Sequence, residues 1–270
     1  MPRNKLSDPE NPEERYRAPA LDRGLDILEV LARQAHGLTR SEIVSELGVS
    51  ASHIYRMLER LVARGYVTRL AGGDRYMLTM KLYLLGSDHP PVRRLVAAAQ
   101  PLMDAFAQDH GQSLHLVVPE RGTGIIVAQA SPVAHWEFRA RIGAQLDLFT
   151  TGSGLTLLAM QAPNRRAETL GKWGLADGEA RLSAIAAELR DVREKGYRVA
   201  PSAQVVGITD LSVPLSGPHG DAAAVITCAF IEKPGSGHAE HWEPALAALQ
   251  DLAGTLSYRT IESSVPFAAE

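Results

Sequence analysis

The stretch LTRSEIVSELGVSASHIYRMLERLVARGYV, residues 38–67, contains two short amphipathic segments separated by one glycine and closed by another. Thr39, with Glu42 three residues later, has the pattern of a capping box and predicts the start of a helix. Gly48 predicts its end, because glycine readily adopts the left-handed conformation found at helix C-termini. Ser50 can cap the next helix. The apolar residues of that helix recur at helical spacing, at Ile54, Met57, Leu58, Leu61 and Val62.

The segments on either side extend this motif. Leucines at helical spacing over residues 21–34 predict a further helix before it. After it, GYVTR and RYMLT, residues 65–69 and 75–79, are typical of two short strands, and the AGGD between them is typical of a tight turn. Three helices followed by a hairpin predict a winged helix-turn-helix domain over residues 21–88, preceded by a disordered tail over residues 1–20.

The rest of the chain predicts a second domain of mixed helices and strands. Residues 89–110 have helical spacing, with Pro101 inside, and are predicted to form a linker helix. From residue 111 to residue 262, short strand-like runs, among them WEFRARIGA at 136–144, alternate with helical runs. The helical runs span residues 154–161, 165–171, 178–195 and 243–261. The predicted fold class is therefore α/β (α+β), with a C-terminal tail over residues 263–270.

The composition excludes several classes of protein. Of the 270 residues, 45% are hydrophobic, which suffices for a sizeable core and argues against wholesale disorder. No run of about 20 apolar residues exists and the first residues lack the features of a signal peptide, so a cytoplasmic protein without membrane contact is predicted. The single cysteine, Cys228, allows no internal disulfide, which agrees with a reducing compartment.

Charge is distributed unevenly along the chain. The formal net charge of -3 argues against a broadly basic surface, yet five arginines face two acidic residues between Arg56 and Arg75. The major groove of DNA admits one helix, whose N-terminal residues reach the base edges. The candidate DNA contacts are Ser50, Ser52, His53, Tyr55, Arg56 and Arg60 on the second helix of the motif, with Arg69 and Arg75 on the wing. The alternatives are a solvated helix face and a winged helix used only for protein contacts.

The order of motifs across both domains resembles the isocitrate lyase regulator (IclR) family of bacterial transcription factors. The matching segments are RGLDILEVLA, SEIVSELGVSASHIYRMLERLVARGYV, YMLTMKLYLLG, TGSGLTLLAM, REKGYRV and GITDLSVPLSGPHGDAAAVIT. The resemblance extends over nearly the whole chain and implies a GAF-like, effector-binding second domain that senses a small molecule. It also implies a homodimer or a dimer of dimers on a palindromic operator in double-stranded DNA.

The start of one apolar helix predicts the position of the effector. Thr151, Gly152, Ser153 and Gly154 open the segment TGSGLTLLAM, where unpaired amides and the helix dipole favour an anion such as the carboxylate of an organic acid. Small side chains at these positions let an anion approach the backbone. The alternative is an ordinary N-cap without a ligand.

The resemblance adds residues that would line the same cavity. They are Ile208, Asp210, Thr227 and Cys228 on or beside strands, with Leu146 and Leu148 as an apolar wall. Asp210 stands where many members of the family have a cysteine. It is interpreted either as a surface or turn carboxylate, or as the partner of an amine or hydroxyl group of the ligand.

Features of an enzyme are weak in this sequence. TGSGL is not a G-x-S-x-G elbow, because its serine lies directly between two glycines. Cys228 lies in an apolar run without a neighbouring histidine and is interpreted as a small buried thiol. His238 and His241 lack further ligands, so neither a metal nor another cofactor is predicted. The prediction is an effector-controlled DNA-binding regulator, and the alternatives are a small-molecule hydrolase and a sensor that acts through protein partners only.

Overall fold

The computed structural model describes most of the chain, which divides into two compact units. The described residues are 18–70, 73–134, 137–162, 166, 170, 171, 175, 177–217, 220–232 and 242–262. The units are Met1–His89 and Pro90–Glu270. The predicted C-terminal tail and all but residues 18–20 of the predicted N-terminal tail lie outside the described residues. No described helix combines the length and the apolar character needed to cross a lipid bilayer.

The first unit has the predicted helix-turn-helix and hairpin. Its elements are α1 (Pro19–Ala32), β1 (Leu38–Thr39), α2 (Arg40–Leu47), α3 (Ala51–Ala63), β2 (Val67–Arg69), β3 (Arg75–Leu78) and α4 (Lys81–Ser87). The strands form an antiparallel sheet in the order β1-β3-β2, in which Leu38 faces Tyr76 and Val67 faces Leu78. The sequence pattern does not predict β1, which is only two residues long and pairs with the hairpin from a distant part of the sequence.

Local features determine the turn between α2 and α3. Thr39 and Glu42 form the predicted capping box: the Thr39 amide lies 2.7 Å from Glu42 Oε2, and the Glu42 amide lies 3.3 Å from Thr39 Oγ1. Gly48 ends α2 with a φ of 61°, in the left-handed region that favours glycine. Ser50 lies at the N-cap of α3, but its hydroxyl makes no capping bond and lies 3.4 Å from Ser52 Oγ.

Buried apolar side chains hold the first unit together. They are Ile27, Leu31, Leu38, Ile43, Ile54, Leu58, Val67 and Tyr76. Ile54 and Leu58 belong to the apolar stripe predicted for α3, and both are fully buried. Burial of one such side chain stabilises a fold by about 1.5 to 3 kcal/mol. This stripe therefore fixes which side of α3 is turned outward.

The second unit is built on one antiparallel sheet. Its elements are α5 (Pro90–His110), β4 (Ser113–Glu120), β5 (Thr123–Ala130), β6 (Gln145–Asp147), α6 (Gly152–Ala159), α7 (Gly178–Ala184), α8 (Ala186–Lys195), β7 (Arg198–Pro201), β8 (Ile208–Ser216), β9 (Ala222–Ile231) and α9 (Glu243–Glu262). The strand order is β6-β5-β4-β9-β8-β7. Together with the first unit, this mixture of helices and strands confirms the predicted fold class.

The sheet of the second unit separates two apolar clusters. One cluster joins the sheet to α5 and α9 and contains Leu211 and Val213 of β8. The other joins the sheet to α6 and α8 and contains Leu155. Because successive side chains of a strand point to opposite faces, Asp210 and Ser212 of β8 lie on the α6 side. The alternation thus places polar residues next to the start of α6.

The strand predicted over residues 136–144 is wrong. Residues 137–144 form no strand, and residue 136 lies outside the described residues. The segment ends in a turn at Gly143, which has a φ of 81° and whose amide donates to the Ile126 carbonyl at 2.7 Å. Ladder pairing with β5 therefore begins only at Gln145, the first residue of β6.

The helices predicted over residues 154–161 and 178–195 have different bounds in the structure. The helix predicted over residues 154–161 is α6, which starts two residues earlier, at Gly152, directly after the N-cap Thr151. The helix predicted over residues 178–195 is divided into α7 and α8, because the backbone at Ile185 (φ -109°, ψ 11°) leaves the helical conformation. Of the helix predicted over residues 165–171, only three residues are described, and all three are helical.

Candidate functional site

The first half of α3 presents polar side chains to solvent. Ser50, Ser52, Tyr55 and Arg56 are exposed there, and Arg60 is exposed one turn further on. His53 lies in α3, but its side chain is not among those that the structure describes. Hydroxyl and guanidinium groups at the start of one helix can bond phosphate oxygens and base edges. The structure therefore brings these predicted DNA contacts together on the exposed side of one helix.

The two wing arginines have partners inside the first unit. Arg75 donates to the Gly37 carbonyl at 2.8 Å and to the two Glu42 carboxylate oxygens, each at 3.3 Å. Arg69 donates a hydrogen bond to the Tyr76 hydroxyl, and its guanidinium lies 5.1 Å from the centre of the Tyr76 ring. Arg75 thus joins the hairpin to α2, and Arg69 joins β2 to β3 within the hairpin. A phosphate contact by either arginine stays a prediction.

One contact at this surface involves a residue that sequence reasoning misses. Arg40 is the first residue of α2, and its guanidinium carbon lies 5.2 Å from the centre of the Tyr55 ring. No periodic pattern links the two residues, because the turn between α2 and α3 brings them together. The signal that could identify Arg40 is its charge, since a cation in the first turn opposes the helix dipole.

The start of α6 has a capped amide and two amides without an acceptor. Thr151 is the N-cap: its Oγ1 accepts from the Gly154 amide at 3.2 Å and donates to the Asp147 carbonyl at 2.7 Å. Within the described part of the chain, nothing accepts from the amides of Gly152 and Ser153. The dipole of α6 favours negative charge at these amides. The ordinary N-cap is therefore present, and beside it two buried amides lack an acceptor among the described residues.

A chain of buried polar side chains joins the start of α6 to three strands. Ser212 Oγ lies 3.0 Å from Thr227 Oγ1, which lies 2.8 Å from Ser153 Oγ. Ser153 Oγ lies 3.3 Å from Nε2 of His115. All four side chains are buried. Because each has a partner, the chain satisfies its buried polar groups and fixes the start of α6 on the sheet.

Burial controls the charge of His115. It lowers the pKa of the imidazole from 6.5 to about 4, so the ring is neutral near pH 7. A neutral imidazole has one donor and one acceptor nitrogen, and Nε2 can take either role in the bond with Ser153. Sequence reasoning assigns His115 to no binding site and misses this contact. Its alternation with leucines in SLHLVVPE is the signal that places it on the polar face of β4.

Asp210 lies at the positive end of α6. A Cβ atom added to Gly152 would lie 3.0 Å from Ser212 Oγ and 3.3 Å from Asp210 Oδ2. Burial raises the pKa of the Asp210 carboxyl, against the opposing effects of a hydrogen bond with Ser202 and the charge of Arg198. The structure thus places this carboxyl beside the amides at which an anion is predicted.

Gly154 and two predicted leucines form the packing beneath α6. A Cβ atom at Gly154 would lie 2.4 Å from Leu148 Cα and 2.6 Å from the Asp147 carbonyl oxygen. This glycine is therefore required by the close approach of the helix to the preceding loop. Leu146 and Leu148 are buried in the cluster next to α6, on the side where the apolar wall is predicted.

Ile208 and Cys228, which are also predicted to line the effector cavity, lie on opposite faces of the sheet. Ile208 begins β8, and strand alternation places it on the same face as Asp210. Cys228 is fully buried in the cluster that joins the sheet to α5 and α9. Burial also raises the pKa of its thiol, which is therefore protonated and unreactive. Since the sheet separates Cys228 from the start of α6, we do not include it in the effector site.

Comparison with known proteins identifies one family in both units. Residues 20–71 match the IclR helix-turn-helix domain, and residues 92–257 match the bacterial transcriptional regulator IclR C-terminal domain. The chain is 23% identical to the transcriptional repressor IclR of Escherichia coli (strain K12) over 214 residues, which are 77% of this chain and 78% of that protein. It is 28% identical to the HTH-type transcriptional regulator BhcR of Paracoccus denitrificans (strain Pd 1222) over 218 residues, 77% of this chain and 76% of that one.

A solved structure has the same fold. It is an IclR homologue from Microbacterium hydrocarbonoxydans in complex with 4-hydroxybenzoate, with a TM-score of 0.71 and 23% sequence identity, covering 91% of this chain and 100% of that one. The two family matches extend over more than half of the chain and follow the order of its two units. The chain therefore belongs to the IclR family of bacterial transcriptional regulators.

Proposed function

We propose that the chain binds an inverted-repeat operator in double-stranded DNA and that a small organic acid controls this binding. As a member of the IclR family it is a transcriptional regulator and not an enzyme, which excludes the hydrolase alternative. The observation that carries the DNA part is the exposed start of α3, with Ser52, Tyr55 and Arg56 turned to solvent. A sensor that acted through protein partners alone would leave these side chains without a role.

The proposed division of labour follows the predicted domains. Residues 21–88 would bind DNA, residues 89–110 would form the linker helix, and residues 111–262 would bind the effector. This division is supported by the matches of residues 20–71 and 92–257 to the two IclR domains. A regulator of this kind acts on the chromosome, so we place it in the cytoplasm.

Exposed apolar side chains in the first unit support a homodimer or a dimer of dimers. They are Met80 (65% exposed), Leu82 (38%), Tyr83 (66%), Leu84 (57%) and Leu85 (53%). Exposed apolar surface of this kind marks a protein interface, and a two-fold operator requires a two-fold protein. Light scattering should give the mass of a dimer or tetramer, which Leu84→Glu should reduce. A monomer mass for the parent chain, alone and with DNA, would contradict the proposed assembly.

The start of α6 supports an acid as the effector. The amides of Gly152 and Ser153 and the dipole of α6 attract an anion. The 4-hydroxybenzoate bound by the Microbacterium homologue belongs to this chemical class. The ionised carboxylate of Asp210, beside the same position, would repel an acid. Burial raises the pKa of Asp210, and in its protonated form the carboxyl would be a hydrogen-bond donor for the acid.

We expect Asp210→Asn to bind organic acids roughly tenfold more tightly than the parent at pH 7, because the substitution removes a nearby like charge. In the parent, acid binding should strengthen as the pH falls towards the pKa of Asp210, whereas in Asp210→Asn it should be nearly independent of pH. Calorimetry with the most stabilising acid from a panel that includes 4-hydroxybenzoate measures both effects. Weaker binding by Asp210→Asn, with an unchanged pH profile, would show that the carboxylate attracts the ligand instead.

The experiment that tests the proposed function uses Gly152→Val. A branched side chain at this position would meet Ser212 and Asp210 where the anion is predicted. Gly152→Val is expected to bind operator DNA as the parent does and to lose the response to the acid. Gly171→Ala is the control, since an added Cβ there meets nothing within 4 Å. Equal acid affinity in Gly152→Val and the parent would place the anion site elsewhere. In the parent, acid and operator must change each other's affinity by the same factor.

A further inference from the structure

Arg40 occupies a position that helix electrostatics disfavours. It is the first residue of α2, directly after the N-cap Thr39. The N-terminus of a helix carries partial positive charge, which favours Glu42 in this turn and repels a cation. Among the described residues no carboxylate forms an ion pair with Arg40. Its neighbour is instead the ring of Tyr55, with the guanidinium carbon 5.2 Å from the ring centre.

The Arg40–Tyr55 pair includes one of the candidate DNA contacts on α3. Tyr55 is 47% exposed and directly precedes the exposed Arg56 on α3. A guanidinium that stacks over an aromatic ring keeps N–H donors at its edge for another acceptor. When the second helix of a helix-turn-helix enters the major groove, the first helix lies against the DNA backbone. An arginine at the start of α2 is then well placed for a phosphate.

We propose that Arg40 and Tyr55 act as one unit in DNA binding: Arg40 binds a backbone phosphate and holds the Tyr55 ring at the edge of the major groove. This assignment rests on the proposed binding of DNA by α3. A phosphate contact carries no base information, so Arg40 should strengthen binding to every sequence alike. The positive charge of Arg40 destabilises α2 in the free protein but stabilises the complex with DNA. Binding of DNA therefore explains why an arginine occupies this position.

The test measures binding to a mixed-sequence duplex of about 30 base pairs by fluorescence anisotropy at several salt concentrations. Arg40→Ala is expected to bind about fivefold more weakly at ~100 mM salt, and the slope of log affinity against log salt should fall by about one. Arg40→Lys keeps the charge and should keep the slope. Arg64→Ala is the matched control, because Arg64 is an exposed arginine at the C-cap of α3, the end far from Ser50. It should change neither quantity.

Thermal melting of the free protein separates a DNA contact from a structural role. Arg40→Ala removes an unfavourable cation from α2, so its midpoint should equal or exceed that of the parent. A lower midpoint with unchanged DNA affinity would overturn the proposal, and so would equal losses of affinity in Arg40→Ala and Arg64→Ala. If the parent binds the duplex and Arg40→Ala binds it equally well, this assignment alone fails. A parent protein that binds no duplex at low salt would overturn the proposed function together with it.

A double-mutant cycle tests whether the two side chains act together. Tyr55→Ala should weaken DNA binding more in the parent than in the Arg40→Ala background, because the ring loses its support when Arg40 is absent. Tyr55→Phe keeps the ring and should preserve the coupling. Strictly additive losses in the cycle would overturn the positioning of Tyr55 by Arg40.

Discussion

Acidification from pH 7 to pH 4 is expected to destabilise the second unit by about 3 kcal/mol through His115 alone. Burial holds the pKa of His115 at about 4, against 6.5 for an exposed imidazole. Between these values the unfolded chain binds a proton that the folded chain does not, so stability is lost as the pH falls through this window. Each tenfold change in proton affinity corresponds to about 1.4 kcal/mol. The difference between a pKa of 6.5 and one of about 4 therefore corresponds to the loss of about 3 kcal/mol by pH 4.

Chemical denaturation at a series of pH values measures this effect. His115→Gln keeps a group that can bond Ser153 but cannot titrate, so its stability should vary less between pH 7 and pH 4. The difference between the two profiles isolates His115 from the carboxylates that titrate in the same range. Parallel profiles, or an imidazole that titrates near pH 6.5 by NMR, would show that His115 is not buried as a neutral ring.

Gly154→Ala is expected to destabilise the second unit by about 3 kcal/mol, at the upper end of the range for overpacked sites. The added Cβ would lie 2.4 Å from Leu148 Cα and 2.6 Å from the Asp147 carbonyl oxygen, so backbone must move to admit it. The effect is measured as the shift in denaturant midpoint. Gly254→Ala is the matched control: nothing lies within 4 Å of its added Cβ, and a helical Gly→Ala change stabilises by about 0.5 to 1 kcal/mol. Similar stabilities for Gly154→Ala and the parent would contradict the packing described for α6.

The helix-turn-helix could be predicted because its signals are local. The capping box of Thr39 and Glu42, the left-handed Gly48 and the apolar stripe of α3 each lie within one or two helical turns. The strand predicted over residues 136–144 is wrong, because alternation is a local pattern whereas strand pairing depends on a distant segment. Its apolar and polar residues alternate, and Phe138 and Ala140 are indeed half-buried. Alternation reports burial on one side but not a hydrogen-bonded neighbour, and it is β6 that pairs with this edge of β5.

The candidate sites could be predicted only in part. The start of α6 is a continuous segment, so its cap and amides follow from the sequence. The polar chain joins His115, Ser153, Ser212 and Thr227 from four separate elements, and no spacing rule connects them. In the same way, basic residues on a hairpin predict a DNA contact, whereas only the fold shows that Glu42 binds Arg75.

Operator binding by Arg56→Ala tests most directly the central claim that the exposed start of α3 reads DNA. The operator would be an inverted repeat selected from a random pool by the parent protein, with affinity measured by fluorescence anisotropy at one salt concentration. Arg56→Ala is expected to bind about tenfold or more weakly, since an arginine contact to a base contributes about 1 to 3 kcal/mol. Arg64→Ala, at the other end of α3, should bind as the parent does. Unchanged affinity of Arg56→Ala, with a melting curve like that of the parent, would contradict a DNA-reading role for α3.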